Sequence, residues 1–382
     1  MPSAERKKLF VAFREAPARR AALNADAGSP ERYRLYGIDQ LASRGAEVRH
    51  NLERPGRPPL WARVADKAIN RALYAIGGYG GDFATVLASL RLVNAADVVL
   101  ATVDTVGIPV ILLERAGLVR RPVVYTSIGL PERLVQLRGE RIRRLYLAAL
   151  RGARAILAYS QHEAEWLRDW LGPGGPPVVF LPFAVDVEAF RPDSARPPGT
   201  DVVSVGADPR RDFELLLEVA SRRPELSFRI VASAERARTL ASLHANVELE
   251  VDLPLAEARA RLADARVVAL PVRENSYSGA TTVLLQAMAL GKPVVVSRTA
   301  AIASGYELED GINCRLVEPG DVDAFEQAIL GTLTGADAAL ALGTRARQTV
   351  ERSFSWERYA DTLWEVLQSA TRSPSGGLPP RT

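Results

Sequence analysis

The stretch from Leu270 to Ser297, LPVRENSYSGATTVLLQAMALGKPVVVS, narrows the folds open to this chain. It reads strand, loop, helix, strand. Val267–Leu270 is a short apolar run, as in a strand buried on both faces, and Pro271 stops it. Ser276 to Gly279 are loop formers. A helix is expected from near Ala280 to Leu290, with Gly291 as its C-cap and Pro293 just beyond. Val294–Val296 is the next buried strand. The same alternation recurs along the chain, which implies an α/β protein.

Within that helix Gln286 is the polar exception among Val283, Leu284, Leu285, Ala287, Met288, Ala289 and Leu290. A lone amide in a buried helix needs a partner. Gln286 lies seven residues after Gly279, on the same helical face and about 10 Å along the axis. The orphan N–H groups and positive dipole end at Gly279 favour an anion. A diphosphate at Gly279, Ala280 and Thr281, with a ribose hydroxyl pair near Gln286, would span that distance. Spacing alone allows equally that Gln286 bonds a neighbouring loop.

The chain has 382 residues, room for two domains. Hydrophobic residues make up 47% and charged residues 25%, ordinary for a globular protein. The one cysteine, Cys314, excludes a disulfide framework, so a reducing, cytoplasmic setting is expected. The scattered His50, His162 and His244 give no zinc pattern, and no metal is expected. The start, MPSAERKKLF, lacks the apolar segment of a secretory signal, and no apolar run is long enough to span a bilayer. A net charge of +4, dispersed, argues against a nucleic-acid partner. Abundant arginine and alanine point to a GC-rich bacterial genome. The one basic concentration, Arg133 to Arg154, fits a solvated helical face better than a helix lying on an anionic membrane.

In chain order, Leu9–Phe13 reads as the first strand and Arg14 to Pro30 as a long loop. Glu31–Leu41 reads as helix, and Arg44-Gly45-Ala46-Glu47-Val48 leads into the second strand. Gly77-Gly78-Tyr79-Gly80-Gly81 lacks dinucleotide spacing and reads as a mobile acceptor-side loop. Asp97–Thr102 is a buried strand, and Asp104 stands at its carboxyl end, where ligands gather in open α/β sheets. Asp104 serves equally as a helix cap. Ser160 with Glu163 reads as a capping box. The proline-rich segment 190–200 marks a domain boundary. Asp201–Val205 then restarts the alternation, ending in Gly206-Ala207-Asp208-Pro209-Arg210-Arg211-Asp212. Arg210 and Arg211 suit bidentate phosphate contact at a strand end, and a solvated arginine pair is the alternative. Arg14 and Arg32 are further ligand candidates. Domains are expected at 1–190 and 201–355, with the helix near 356–372 packing back on the first and 373–382 a disordered tail.

Gln286-Ala287-Met288-Ala289-Leu290-Gly291-Lys292-Pro293-Val294-Val295, followed by Asp310-Gly311-Ile312-Asn313-Cys314-Arg315-Leu316-Val317-Glu318-Pro319-Gly320-Asp321, resembles a block of the retaining family-4-type glycosyltransferases, the glycosyl transferases group 1. That resemblance implies a GT-B fold, α/β, with two Rossmann-like domains facing across a cleft. It also assigns roles. Gln286 falls on the family glutamate that binds the donor ribose. Ser278 falls on the glutamate near the donor sugar, and Glu274 is the carboxylate available on the same loop. Ser278, Gly279, Ala280 and Thr281 resemble a phosphate cradle. Arg210 or Arg211, after Gly206, falls on a lysine that holds the diphosphate, while Ala207 replaces a family arginine. Ile128 stands where a histidine is frequent, and the glycines of the family's first loop are missing near Ser29–Tyr33.

The implied reaction moves a sugar from a nucleotide diphosphate donor, UDP- or GDP-linked, to a small-molecule or natural-product acceptor. Retention, no metal and no other cofactor are expected. Glu274, Ser278 and Asp104 are the catalytic candidates. Gly206, Arg210, Arg211, Ser278, Gly279, Ala280, Thr281 and Gln286 are the donor-binding ones. The rival readings are a non-catalytic sugar-nucleotide-binding partner and a transferase acting on a lipid-linked acceptor at a membrane surface. A monomer or homodimer is expected, with membrane contact disfavoured.

Overall fold

The computed structural model describes residues 6–26, 28–192, 199–240, 243–277 and 279–372. Ser278, residues 193–198 of the proline-rich boundary and the 373–382 tail lie outside the described residues. Contacts divide the chain into two units, one of residues up to Leu181 plus those from Tyr359, the other Pro182–Arg358.

In the first unit the strands are β1 (Lys7–Ala12), β2 (Ala46–His50), β3 (Val98–Ala101), β4 (Val123–Ser127), β5 (Ala155–Ala158) and β6 (Val178–Phe180). All pair in parallel, in the order β2-β1-β3-β4-β5-β6. β3, β4 and β5 are buried along their whole length, which explains the unbroken Val, Ile, Leu and Ala composition of β3 and β5, while β4 adds Tyr125, Thr126 and Ser127 at its carboxyl end. Helices cover the sheet through Phe83, Val106, Ile111, Leu134, Ile142 and Tyr146. Gly107 lets the helix Asp104–Arg115 lie on the Tyr125 ring, since a Cβ there would meet Tyr125 Cε2 at 2.0 Å.

The second unit contains β7 (Thr200–Gly206), β8 (Phe228–Ala232), β9 (Val247–Val251), β10 (Ala265–Leu270), β11 (Val294–Ser297) and β12 (Arg315–Val317). The order is β12-β11-β10-β7-β8-β9, again parallel, with Phe213, Leu216, Phe325 and Ile329 in its core. This is the Rossmann strand order, and it reverses direction between β7 and β10. The helix between β10 and β11 runs Thr281–Ala289. It ends as its sequence dictates: Gly291 takes φ +66°, and Lys292 N–H bonds back to Ala287 O at 3.0 Å.

Four local expectations differ from what is observed. Residues 14–30 hold a helix, Pro17–Asn24, with Pro17 fixing its first turn. The helix read at 31–41 is two pieces, a 3₁₀ turn at Pro30–Leu35 and a helix at Ile38–Ser43, separated by Tyr36 and Gly37 in left-handed conformation. The glycine loop at 77–81 is pinned: Gly81 N–H donates to Asn70 Oδ1, Asn70 Nδ2 returns to Gly81 O, and Tyr79 N–H donates to Tyr146 Oη. Arg32 is committed within the first unit to Asp39 and to the carbonyls of Ala22, Leu23 and Ala25.

Candidate functional site

The carboxyl ends of β7 and β10 flank the reversal of strand order in the second unit, the place where an open α/β sheet leaves a crevice. Two loops leave these ends and are stitched together. Asp212 N–H donates to Pro271 O at 2.9 Å, and Arg273 N–H to Arg210 O at 2.9 Å.

Arg211 is the centre of this arrangement. Its side chain folds back over the end of β7 and is 0% exposed. Gly206 makes this geometry available, because a Cβ there would sit 2.7 Å from Arg211 Nε and 2.9 Å from Cγ. The Nη2 group donates to Ser204 Oγ at 2.9 Å, and Ser204 Oγ–H donates onward to Ala269 O at 2.6 Å. Nε and Nη1 are buried without a hydrogen-bond partner. Burial pushes the guanidinium down to about 10, against the attraction of Asp208. A buried cation with open donors is costly unless an acceptor completes it. Phe213 lies under the guanidinium, its ring centroid 5.6 Å from Cζ.

Other open polar atoms occur on the neighbouring strand-end segments. Thr281, at the first turn of its helix, buries an unpartnered Oγ1, and Asn275 and Thr299 bury unpartnered side-chain oxygens. Arg236, on the segment after β8, donates from Nη2 to Arg211 O at 2.9 Å and leaves Nε open. The sequence reading had not singled out Arg236, Asn275 or Thr299. Nothing in their spacing announces that three different strand ends carry them.

The donor-binding candidates divide accordingly. Gly206, Arg210 and Arg211 lie on one of the stitched loops, and Gly279, Ala280 and Thr281 on the other. Gly279 faces Asp208, its virtual Cβ 3.1 Å from Asp208 Oδ1. That oxygen accepts from Arg210 N–H at 2.7 Å and from Tyr277 Oη–H at 3.0 Å. Burial raises the Asp208 carboxyl above its usual range. Gln286 is buried further along the same helix. Glu274 is exposed, and its Oε1 accepts from Asn275 N–H at 3.1 Å and from Ala300 N–H at 2.9 Å, which caps the short helix Ala300–Ala303.

Asp104 belongs to the first unit. It is the first residue of its helix and does not cap it. Its carboxylate instead accepts from Tyr125 Oη–H and, at 3.2 Å, from Ile128 N–H. Burial pushes it up to about 6. Glu163 stands nearby in function: its Oε1 gathers Ser127 Oγ–H at 2.7 Å, Gly129 N–H at 2.8 Å and Leu130 N–H at 3.2 Å. Burial pushes this carboxyl up to about 8, and its Oε2 has no partner. Ser160 does cap the helix Gln161–Leu171, accepting from Glu163 N–H, but the Glu163 side chain is spent on the turn after β4.

Residues 200–335 match the family model of the Glycosyl transferases group 1. The match falls on the unit that carries the Arg211 site, and it bears out the group 1 likeness read from 286–321. The GDP-mannose-dependent monoacylated alpha-(1-6)-phosphatidylinositol monomannoside mannosyltransferase of Corynebacterium glutamicum is 28% identical over 243 residues, 57% of this chain and 63% of that protein. The chain spans 46% to 63% of the length of the first three curated relatives it matches. Among solved structures, the sucrose-phosphate synthase of Thermosynechococcus elongatus superposes with a TM-score of 0.72 at 18% identity, over 95% of this chain and 98% of that one. Anabaena HepE in complex with UDP and glucose gives 0.66 at 15% identity, over 95% and 100%. At these identities the likeness fixes the fold, which is GT-B. Among the described residues no helix is long and apolar enough to cross a membrane.

Proposed function

We propose that this chain is a glycosyltransferase that takes a sugar from a nucleotide diphosphate donor, with Arg211 and the Gly279–Thr281 turn holding the diphosphate. The observation that carries this reading is Arg211, a fully buried guanidinium with two open donor nitrogens at the switch point of a Rossmann-ordered sheet. A phosphate oxygen is the acceptor that fits such a fork. The group 1 match over the same residues supports it, as do HepE, a fold neighbour that binds UDP, and a relative named as GDP-mannose-dependent. UDP and GDP are therefore the first donors to test.

The chemistry follows from where charge develops. The bond from the anomeric carbon to the β-phosphate oxygen breaks, and a bond from that carbon to the acceptor oxygen forms. The acceptor hydroxyl proton ends on the departing diphosphate. Negative charge grows on that diphosphate, and a preorganised guanidinium, amide and hydroxyl set stabilises it most where water is excluded. Arg211 supplies the positive charge, so magnesium is not required for binding in this reading. Retention of configuration comes from the family resemblance. Gln286 is assigned to the ribose, and Glu274, the carboxylate on the loop after β10, to the donor sugar.

The acceptor is proposed to be a small molecule or a natural product bound by the first unit, near the strand end that carries Asp104, in a cytoplasmic protein. The name of the Corynebacterium relative, which specifies a phosphatidylinositol mannoside, supports a lipid-linked acceptor as the second reading. A thermal-shift panel of UDP, GDP, dTDP and ADP, with and without magnesium, tests the donor site, because a ligand bound by the native state alone raises the melting temperature. Turnover with the matching sugar donors then separates a transferase from a silent binding partner. Binding without turnover against a broad acceptor set supports the partner.

A further inference from the structure

The helix Leu60–Ala75 of the first unit is apolar on two sides. One side, through Ala62, Ala65, Ile69 and Leu73, packs on the core. The other is open: Leu60 is 71% exposed, Trp61 58% and Val64 59%. At 100° per residue these three share one stripe with Ala68, Ala72 and Ala75. Arg63 and Lys67 flank one edge of that stripe and Arg71 lies just inside it, all exposed, and none has a carboxylate within ion-pair distance among the described residues. Asp66, the helix's one acid, is turned inward, where it accepts from Phe83 N–H at 2.8 Å and Asn70 Nδ2–H at 3.1 Å.

The patch continues past the end of the helix. Exposed Tyr74 and Ile76 line a groove of about 590 Å³ together with Arg133 and Arg138. Val135 stands on the same short helix as Arg133, 72% exposed.

We propose that this face is a docking surface for an anionic lipid bilayer. Large apolar side chains clustered in water, here Leu60, Trp61 and Val64 in the first turn and Tyr74 and Ile76 at the far end, mark an interaction surface. An apolar stripe edged by cations, with a tryptophan at its border, is the composition of a helix lying in the plane of a membrane interface. Charge decides among occupants. A second copy packed antiparallel on this face by a two-fold axis would bring the Arg63, Lys67 and Arg71 rows toward each other, and a parallel copy would leave them without opposite charge. An anionic lipid surface meets every one of them with opposite charge. The start of the basic run 133–154, where sequence allowed membrane contact, adjoins this patch, but the rest of the run is a poorer candidate. In its main helix, Glu140–Gly152, Ile142, Tyr146, Ala149 and Leu150 are buried, so its outward face is charged without being apolar.

Co-sedimentation of the full chain with phosphatidylcholine vesicles containing phosphatidylglycerol, against phosphatidylcholine alone, tests the proposal. The wild type is expected to pellet with the anionic vesicles and to be released by salt. Arg63→Glu/Lys67→Glu/Arg71→Glu is expected to lower the partition coefficient by at least on the order of a hundredfold. Trp61→Glu/Val64→Glu is expected to abolish pelleting. Arg141→Ala/Arg143→Ala/Arg144→Ala, on the neighbouring helix, is expected to bind as wild type. Circular dichroism melts establish that each variant is folded, and Arg71→Glu alone replaces the triple variant if that one is not. The proposal is overturned if the wild type stays in the supernatant, if the Leu60–Ala75 variants still pellet, or if the Arg141 triple variant loses binding. It is also overturned if sedimentation velocity shows a dimer that Trp61→Glu dissolves, which would make the face a self-association surface.

Discussion

At the scale of single residues, the site rests on side chains whose burial contradicts their polarity. Arg211→Ala removes the open guanidinium and is expected to weaken UDP or GDP binding about 10- to 100-fold, the worth of one or two charged hydrogen bonds. Isothermal titration measures it. Gly206→Ala acts through the same side chain, because the new methyl would stand 2.7 Å from Arg211 Nε. It is expected to destabilise the second unit by about 1–3 kcal/mol in urea melts. Asp208 works against a diphosphate at Gly279, its Oδ1 lying 3.1 Å from the position of a Cβ there. Asp208→Asn is therefore expected to tighten nucleotide binding, and unchanged or weaker binding would show that the carboxylate does not face the phosphates. In the first unit, Glu163 keeps its proton up to about 8 in the fold, against 4.5 for the free side chain. The folded state then binds the extra proton, so stability falls as pH rises from about 4.5 to about 8. Asp104 adds to the fall between 3.8 and about 6. Glu163→Gln is expected to flatten the decline of melting temperature between these limits. An unchanged pH profile would mean that the carboxyl is solvated.

At the scale of elements, local pattern carried much of the fold. β10, the Thr281–Ala289 helix and β11 follow from an apolar run stopped by Pro271, a loop rich in small polar residues and a glycine-proline ending. The Pro17–Asn24 helix escaped because its Arg- and Ala-rich turns carry no apolar stripe, although Pro17 is a legible N1 signal. The break at Tyr36–Gly37 escaped because a non-glycine residue in the left-handed region leaves little trace in sequence. The candidate site was legible as residue types at strand ends, through Gly206, Arg211 and Thr281. Its physics was not. The burial of Arg211, the stitching of 210–212 to 271–273 and the gathering of Ser127, Gly129 and Leu130 on Glu163 all depend on pairings across the sheet, which no local spacing encodes. Glu163 shows the limit well: its spacing from Ser160 announces a cap, and the amide half of that cap forms, while the carboxylate reaches 33 to 36 residues back to another turn.

At the scale of the molecule, the two sheets solve similar problems with the same parallel architecture and different ends. The second places a buried, incompletely paired arginine at its switch point. The first places two carboxyls of raised protonation range around the turn after β4 and leaves an apolar, cationic helix face in water. The nucleotide experiments test the proposed donor site of the second unit, and the vesicle experiments test the proposed lipid-facing surface of the first, each separately. The most direct test of the donor site is isothermal titration of UDP and of GDP into the wild type and into Arg211→Ala, without magnesium. The account predicts that one of the two nucleotides binds the wild type and that the substitution weakens it at least about tenfold. Binding that survives the loss of Arg211 unchanged would contradict the assignment of the diphosphate to this site, and no binding of either nucleotide would contradict the reading of the second unit as a UDP- or GDP-sugar domain.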